Sequence, residues 1–528
     1  MKNEGLLNYV SDVLANMPAD WLRLTTHRLD IYDESLAKTQ FLEQLEELFD
    51  ANNSETSALN ELPTAFDYIR LGHPLSCILE WALGKINNVP SENVISFSSK
   101  ITPILAVLRK NLLENKKTQI LYKGNLPSCF DAKTIEDVYG YSFELKSIND
   151  ISEVTSFDGS TLFLSEENKI GEIQLNDHID FFVGLYANFG SIIWVRGNEN
   201  SSYVSEIQHV RRRETISMTP ANTNAVLNLL VDNGTVESTA KNTRNKESVL
   251  DSIKNITGSQ TQAQVASSGL SIQYAIAMGL IHHANENHPG KKIKFIVPPN
   301  CYGGTNDQAR RIAACLSHVE VMDLPVDGDN DMVQSIDAVL NQIAEEDAVP
   351  YIIAEIPTNP RVEVPNLEKL RDVLSKKRTN PSGSTTIDPV FILDQTFCPN
   401  THFLGEEEIL APVRTLAYVS GSKFPSGGKC TAGYCVANKR AAALMDKIDI
   451  HLRLCDNEAT ALQMEFLAQQ LPSMNQRIAD AYKNTREFVN FIKEVLPTAK
   501  INFVSEELAQ QGFTPSVFSL DLPTKGNT

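Results

Sequence analysis

The sequence predicts an α/β fold with a mainly parallel sheet, on three observations. Short apolar runs such as Gln119-Ile120-Leu121-Tyr122 and Tyr351-Ile352-Ile353-Ala354 recur along the chain. They alternate with helix-like stretches of the length a crossover connection needs. In the second half they end in small or polar residues, the pattern of a parallel sheet whose ligand groups sit at strand carboxyl ends.

At 528 residues the chain is too long for one ordinary core, and two or three domains are expected. There are 47 basic against 66 acidic residues, a net charge of −19. That balance argues against a nucleic-acid or anionic-membrane partner, which needs a basic face. Eight cysteines are scattered without a CxxC pair, so neither a zinc knuckle nor a disulfide framework is indicated and no metal is expected. Met1 to Trp21 carries acidic residues and no apolar core, unlike a signal peptide, and no run approaches the length of a membrane span. A cytoplasmic protein with reduced thiols is expected.

The first part begins with a helical pattern, Phe41 to Phe49, and a loop, Ala51-Asn52-Asn53-Ser54. Tyr68-Ile69-Arg70-Leu71-Gly72-His73-Pro74 precedes a helix through Leu79 and Glu80, and the stretch Val94 to Ile104 follows it. Further strands are expected at 119–122, 142–145, 161–164 and 192–195. Arg211-Arg212-Arg213 reads as a solvated linker, and a boundary is placed near 215. Three regions follow: 1–215, 216–438 and 439–528.

The second part repeats the plan of the first. A helix with Val249, Leu250 and Ile253 leads to Ser267-Ser268-Gly269-Leu270. Gly269 lies 26 residues beyond Thr243, and Lys100 lies the same 26 beyond Pro74, which suggests an internal duplication. Strands are expected at 292–297, 319–324, 351–355, 390–393 and 415–419, with a helix over 367–377. His282 and His283 fall on a helix as ordinary surface or core histidines. After Asn438 the pattern turns helical over 445–471 and 474–495, then closes with strand-like pieces at 501–504 and 516–520.

One pair of residues carries the chemistry. Asp394 ends one strand, and Lys423 follows the next in Ser420-Gly421-Ser422-Lys423. A carboxylate and a lysine so placed suit a Schiff base between Lys423 and pyridoxal phosphate (PLP), with Asp394 keeping the pyridine nitrogen protonated and Ser420 and Ser422 bonding the phosphate. The glycines from Gly421 to Gly428 do not make a P-loop, because Lys423 stands where the first glycine is required and Cys430 where Ser or Thr is required.

In order and spacing these segments resemble the Cys/Met-metabolism family of PLP-dependent enzymes (fold-type I), over about residues 235 to 525. The family's Ser-Gly-Met turn matches Ser268-Gly269-Leu270, its Tyr-Gly-Gly-Thr matches Tyr302 to Thr305, and its Pro-Thr-Asn-Pro matches Pro357 to Pro360. Its Asp-Asn-Thr-Phe matches Asp394 to Phe397 with Gln395 substituted, and its Ser-x-Thr-Lys matches Ser420 to Lys423 with Ser422 substituted. Ser473 to Arg477 resembles its carboxy-terminal helix. The resemblance implies an aspartate aminotransferase-like PLP domain at 216–438, with a degenerate partial copy before it and a small, apparently incomplete α+β domain after it. It implies that Ser268, Gly269 and Leu270 hold phosphate, that Tyr302 stacks on the ring and assists catalysis, and that Asn359 lies near the ring hydroxyl.

Departures from the pattern shape the expectations. The family's Tyr-x-Arg phosphate pair is missing before Asn242-Thr243-Arg244, whereas Tyr68 and Arg70 supply one in the first part. The resemblance therefore implies that Tyr68 and Arg70 reach the phosphate, in the same chain or a partner chain. Lys100 replaces the phosphate-turn glycine of the first part, and Arg196 is expected about where the ring-pairing Asp belongs. The layout is similar to the long, amino-terminally extended cystathionine γ-synthases, and no arginine for the substrate carboxylate follows Leu520. The activity implied is γ-replacement of an O-acylhomoserine by cysteine, in a homodimer or homotetramer. A sulfhydrylase or a cystathionine or methionine lyase of the same family is the alternative, and a non-catalytic subunit of the same fold is another.

Overall fold

The computed structural model describes residues 3–23, 34–66, 68–174, 176–236, 243–326 and 330–521. The chain divides into two units. The first is Met1–Lys241 with Arg453–Asn457, and the second is Asn242–Leu452 with Glu458–Thr528.

The first unit holds a six-stranded sheet of β1 (Val94–Phe97), β2 (Thr118–Lys123), β3 (Glu144–Ser147), β4 (Ser160–Glu166), β5 (Phe181–Tyr186) and β6 (Gly190–Val195), in the order β1-β6-β5-β4-β2-β3. The neighbours from β3 to β5 pair parallel, and β6 runs antiparallel to both β5 and β1. The second unit holds β7 (Gln264–Ala266), β8 (Ile293–Val297), β9 (Val319–Asp323), β10 (Val349–Glu355), β11 (Val390–Asp394), β12 (Arg414–Ser420) and β13 (Gly433–Ala437). Their order is β7-β13-β12-β11-β10-β8-β9, parallel from β9 to β12 and antiparallel at β13 and β7. Deleting one central strand turns the second order into the first, with every pairing sense kept.

The duplication extends to the connections. The helices Pro74–Asn87 and Thr243–Thr257 start at the two positions from which the 26-residue interval runs. Asn242, expected as part of the vestigial motif, lies outside the described residues. Lys100 and Gly269 each follow the first strand of their sheet and open onto the helices Thr102–Leu113 and Gly269–Asn287. A serine hydroxyl accepts backbone N–H groups at each helix start. Ser99 Oγ accepts the N–H groups of Ile101 and Thr102, both at 3.0 Å, and Ser268 Oγ accepts that of Ser271 at 3.1 Å.

The central strands are covered on both faces, so they read as continuous apolar runs. β11 is buried from Val390 to Leu393, and only Asp394 at its end is partly open. The helices Ala461–Gln470 and Met474–Val495, with β14 (Lys500–Asn502) and β15 (Ser519–Asp521) paired antiparallel, close the second unit.

Several expectations are corrected. Arg211 to Arg213 end the helix Ser201–Arg213 rather than a solvated linker. Arg211 has no exposed surface and pairs with the equally buried Glu80 at 2.6 Å. The helical stretch over 445–471 is two helices, Met445–Leu454 and Ala461–Gln470. β5, in Phe181-Phe182-Val183, was not expected. Arg196 follows the antiparallel β6, the counterpart of β13, and so cannot occupy the position of an Asp at the end of a parallel strand.

Candidate functional site

Parallel strands place their carboxyl ends at one edge of the sheet, and the second unit collects its polar residues there. Glu355 ends β10, Asp394 ends β11, and Tyr418 lies near the end of β12. The three form one row, because Glu355 is in register with Asp394 and Asp394 with Tyr418. Asp394 Oδ1 accepts the N–H of Thr396 at 2.9 Å, and the Tyr418 hydroxyl also reaches the Asp394 carboxylate. That hydroxyl lies 3.3 Å from Gln273 Oε1, which also accepts the hydroxyl of Thr305 at 3.0 Å.

Burial, opposed by Thr396, Tyr418 and the Lys423 ammonium, nonetheless raises the Asp394 carboxyl above the ordinary carboxylate range. Glu355 is pushed up to about 8, first by burial and then by the like charge of Asp394. Tyr418 is raised well above the usual phenol value, chiefly by burial.

Beside this row lies a corner of hydroxyls. Ser420 and Ser422 bring their Oγ atoms to 2.9 Å, and Lys423 Nζ donates to Ser422 Oγ at 3.3 Å. The start of the helix Gly269–Asn287 packs directly against them. A Cβ on Gly269 would come within 2.9 Å of Ser420 Cβ, and one on Gly433 within 2.5 Å of the Ser268 carbonyl. Glycine is required at both places for this close approach. A 19-residue helix therefore presents its first backbone N–H groups beside two hydroxyls and one lysine, an arrangement suited to a phosphate.

Of the expected site residues, Ser268, Gly269, Ser420, Ser422, Lys423 and Asp394 are brought together at this edge. Tyr302 precedes the helix Gly303–Cys315. The residue is 42% exposed, and its N–H donates to Glu355 Oε1 at 2.8 Å. Leu270 touches the same turn, since a Cβ on Gly304 would meet Leu270 Cδ1 and Tyr302 Cε1, each at 2.7 Å. Asn359 follows β10, and its backbone hydrogen-bonds Glu355. Cys301 is buried, and burial pushes its thiol up to about 12.

Tyr68 and Arg70 belong to the first unit. The Arg70 guanidinium lies 4.3 Å over the Tyr68 ring, and its Nε donates to the Arg212 carbonyl at 3.0 Å.

Glu355, Tyr418, Thr396 and Gln273 carried no expectation. The first two sit in apolar strands, and their importance comes from register across the sheet. Among the described residues, no group of three His, Cys, Asp or Glu side chains could hold a metal, and no helix is long and apolar enough to cross a membrane. All eight cysteines are free thiols.

The fold and site thus define an α/β protein with a mainly parallel sheet, its polar residues gathered at the strand carboxyl ends. No family model matches the chain, and no curated protein matches it. Similar solved structures include a cystathione gamma lyase from Micromonospora echinospora, at 16% identity over 52% of this chain and 66% of that one, with a TM-score of 0.39. The metB protein of Corynebacterium glutamicum shares 14% identity over 52% and 65%, at 0.37. A cystathionine gamma-lyase from yeast shares 17% over 49% and 58%, at 0.37. The chain spans less than two thirds of each of these structures.

Proposed function

We propose that the second unit binds PLP and that the protein is an enzyme of sulfur amino-acid metabolism, a cystathionine γ-synthase joining an O-acylhomoserine to cysteine. One observation carries the reading. Asp394 and Lys423 stand at the carboxyl ends of adjacent parallel strands, beside a helix start lined by Ser268, Ser420 and Ser422. The residues fit the group. The close approach at Gly269 supports a phosphate seat, and Asp394, partly open at the end of a buried strand, supports a site for a protonated ring nitrogen.

When bound, PLP supplies an electron-withdrawing ring that acidifies the α-carbon of an amino-acid substrate. The remaining roles belong to the chain. Asp394 offers one carboxylate to the ring nitrogen. The Gly269 and Leu270 N–H groups and the Ser420 and Ser422 hydroxyls would hold the phosphate, and Tyr302 and Asn359 would hold the ring. The Lys423 amine would move the α-proton and then a β-proton of the substrate, and Lys423 or Tyr302 would assist departure of the γ-acyloxy group as a carboxylate. Cysteine thiolate would then bond to the γ-carbon in place of the departed carboxylate, and the protons taken from the β- and α-carbons would return to them.

Titration of the purified protein with PLP, followed by borohydride reduction and peptide mapping, tests the reading. A reduced adduct on Lys423 that Lys423→Ala loses, with an unchanged melting profile, is expected. An adduct elsewhere, or none in the wild type, removes it. Turnover with cysteine, sulfide and cystathionine then separates γ-replacement from the sulfhydrylase and lyase activities. The resemblance assigns Tyr68 and Arg70 to the phosphate as well, and the same titration of Arg70→Ala tests that assignment.

A further inference from the structure

The cofactor reading uses Asp394 and leaves its neighbour unexplained. Glu355 ends β10 directly beside Asp394, on parallel strands whose spacing is about 4.8 Å. The titratable groups that face it are Asp394 from β11, Tyr418 from β12 and Cys301 from the segment after β8, while Lys423 acts on Asp394. Two carboxyls this close in a buried sheet cannot both ionise cheaply, so at neutral pH one proton is shared between them. Asp394 has the stronger claim to the charge. It is stabilised by the Thr396 N–H and hydroxyl, the Tyr418 hydroxyl and the Lys423 ammonium, whereas Glu355 has two backbone donors, from Tyr302 and Asn359. Those donors come from the two segments that carry the ring-facing residues. Glu355 therefore ties both segments to the strand that lies against the Asp394 strand.

We infer that Glu355 is a positioning residue of this site, a neutral acid that anchors the Tyr302 and Asn359 backbones and leaves Asp394 as the single carboxylate. The inference rests on the cofactor reading for what the site holds, and on the strand register and backbone contacts for the role of Glu355.

The test is titration of apo-protein with PLP at neutral pH for wild type, Glu355→Gln, Glu355→Ala and Asp394→Asn, read by cofactor absorbance. Gln keeps an acceptor for Tyr302 and offers Asp394 an N–H, whereas Ala drops both. Glu355→Ala is expected to weaken binding about tenfold or more, because it leaves backbone donors without a partner, and Glu355→Gln less than about threefold. Glu355→Gln as damaging as Asp394→Asn would show two working carboxylates and overturn the inference, as would wild-type affinity in Glu355→Ala. If the wild type takes up no PLP, the cofactor reading fails by itself, and melting of the apo-protein decides the state of Glu355. Loss in Glu355→Gln of the wild-type decline in stability between about pH 5 and 8 supports a neutral acid, and an unchanged profile overturns it.

Discussion

The backbone N–H of Ser420 donates to Thr396 Oγ1 at 3.0 Å, joining the segment after Asp394 to the segment that carries Lys423. Thr396 also donates its own N–H to Asp394 Oδ1, so one residue fixes both strand ends. Thr396→Val keeps the backbone donor and the volume but removes both the acceptor for Ser420 and the hydroxyl that bonds Asp394. A half-buried N–H left without its partner costs about 1–3 kcal/mol. The expected outcome is a modest fall in melting temperature of the second unit and weaker PLP uptake. Unchanged uptake in a correctly folded variant would show that the two segments need no such link.

Asp394 and Glu355 make stability depend on pH. Burial, and then the like charge of Asp394, pushes the Glu355 carboxyl up to about 8 from an ordinary value of 4.5. Between those values the folded protein holds a proton that the unfolded chain has lost, so stability falls as pH rises through the window and levels off above about 8. Asp394→Asn removes the like charge and should flatten the fall. Thermal midpoints of the apo-protein from about pH 5 to 9 check this, and a midpoint that climbs with pH over that range contradicts it.

The sequence makes the strand set legible because central strands buried on both faces must be apolar throughout. Asp394 and Lys423 are visible too, since polar residues that end such runs stand out. Glu355 and Tyr418 are not, because their partnership with Asp394 depends on register between strands far apart in the chain. β5 has a signal in Phe181-Phe182-Val183, a short apolar run that periodicity alone does not separate from a helix. The arginine cluster misleads because arginines are mostly exposed, and nothing local to 211–213 announces Glu80, more than a hundred residues earlier.

In the first unit Glu80 is held between two cations, Arg211 at 2.6 Å and Lys38 at 2.7 Å, with Ser96 donating from both N–H and hydroxyl. Burial alone would raise its carboxyl, but Arg211 and Lys38 outweigh burial and hold it at about 2. Its contribution to stability is therefore present above about pH 4.5 and is lost as pH falls through about 2. Glu80→Ala leaves Arg211 buried without its counter-charge and should cost about 3–5 kcal/mol. Denaturant unfolding of the first unit measures this, and a loss under about 1 kcal/mol would mean that the network is dispensable.

The two sheets differ most informatively at the helix starts that correspond. In the second unit that start, at Gly269, faces Ser420 across a close approach. In the first unit Lys100 replaces the glycine, and its N–H donates at 2.9 Å to Asp456 Oδ2, while Ser99 Oγ donates to the Cys455 carbonyl at 2.7 Å. A carboxylate of the chain itself thus sits at the helix start whose counterpart is proposed to hold a phosphate. An anion at a helix N-terminus is stabilising, and a hydrogen bond to a charged acceptor contributes about 1.5–3 kcal/mol. Asp456→Ala should lower the stability of the first unit by about that much and leave the Lys100 N–H open to an anion. Sulfate or phosphate should then restore part of the loss in Asp456→Ala beyond the general salt effect seen in the wild type. Melting of both proteins across an anion series, with chloride as the control, decides it. Equal responses to sulfate in the two proteins would show that the carboxylate does not stand in for an anion.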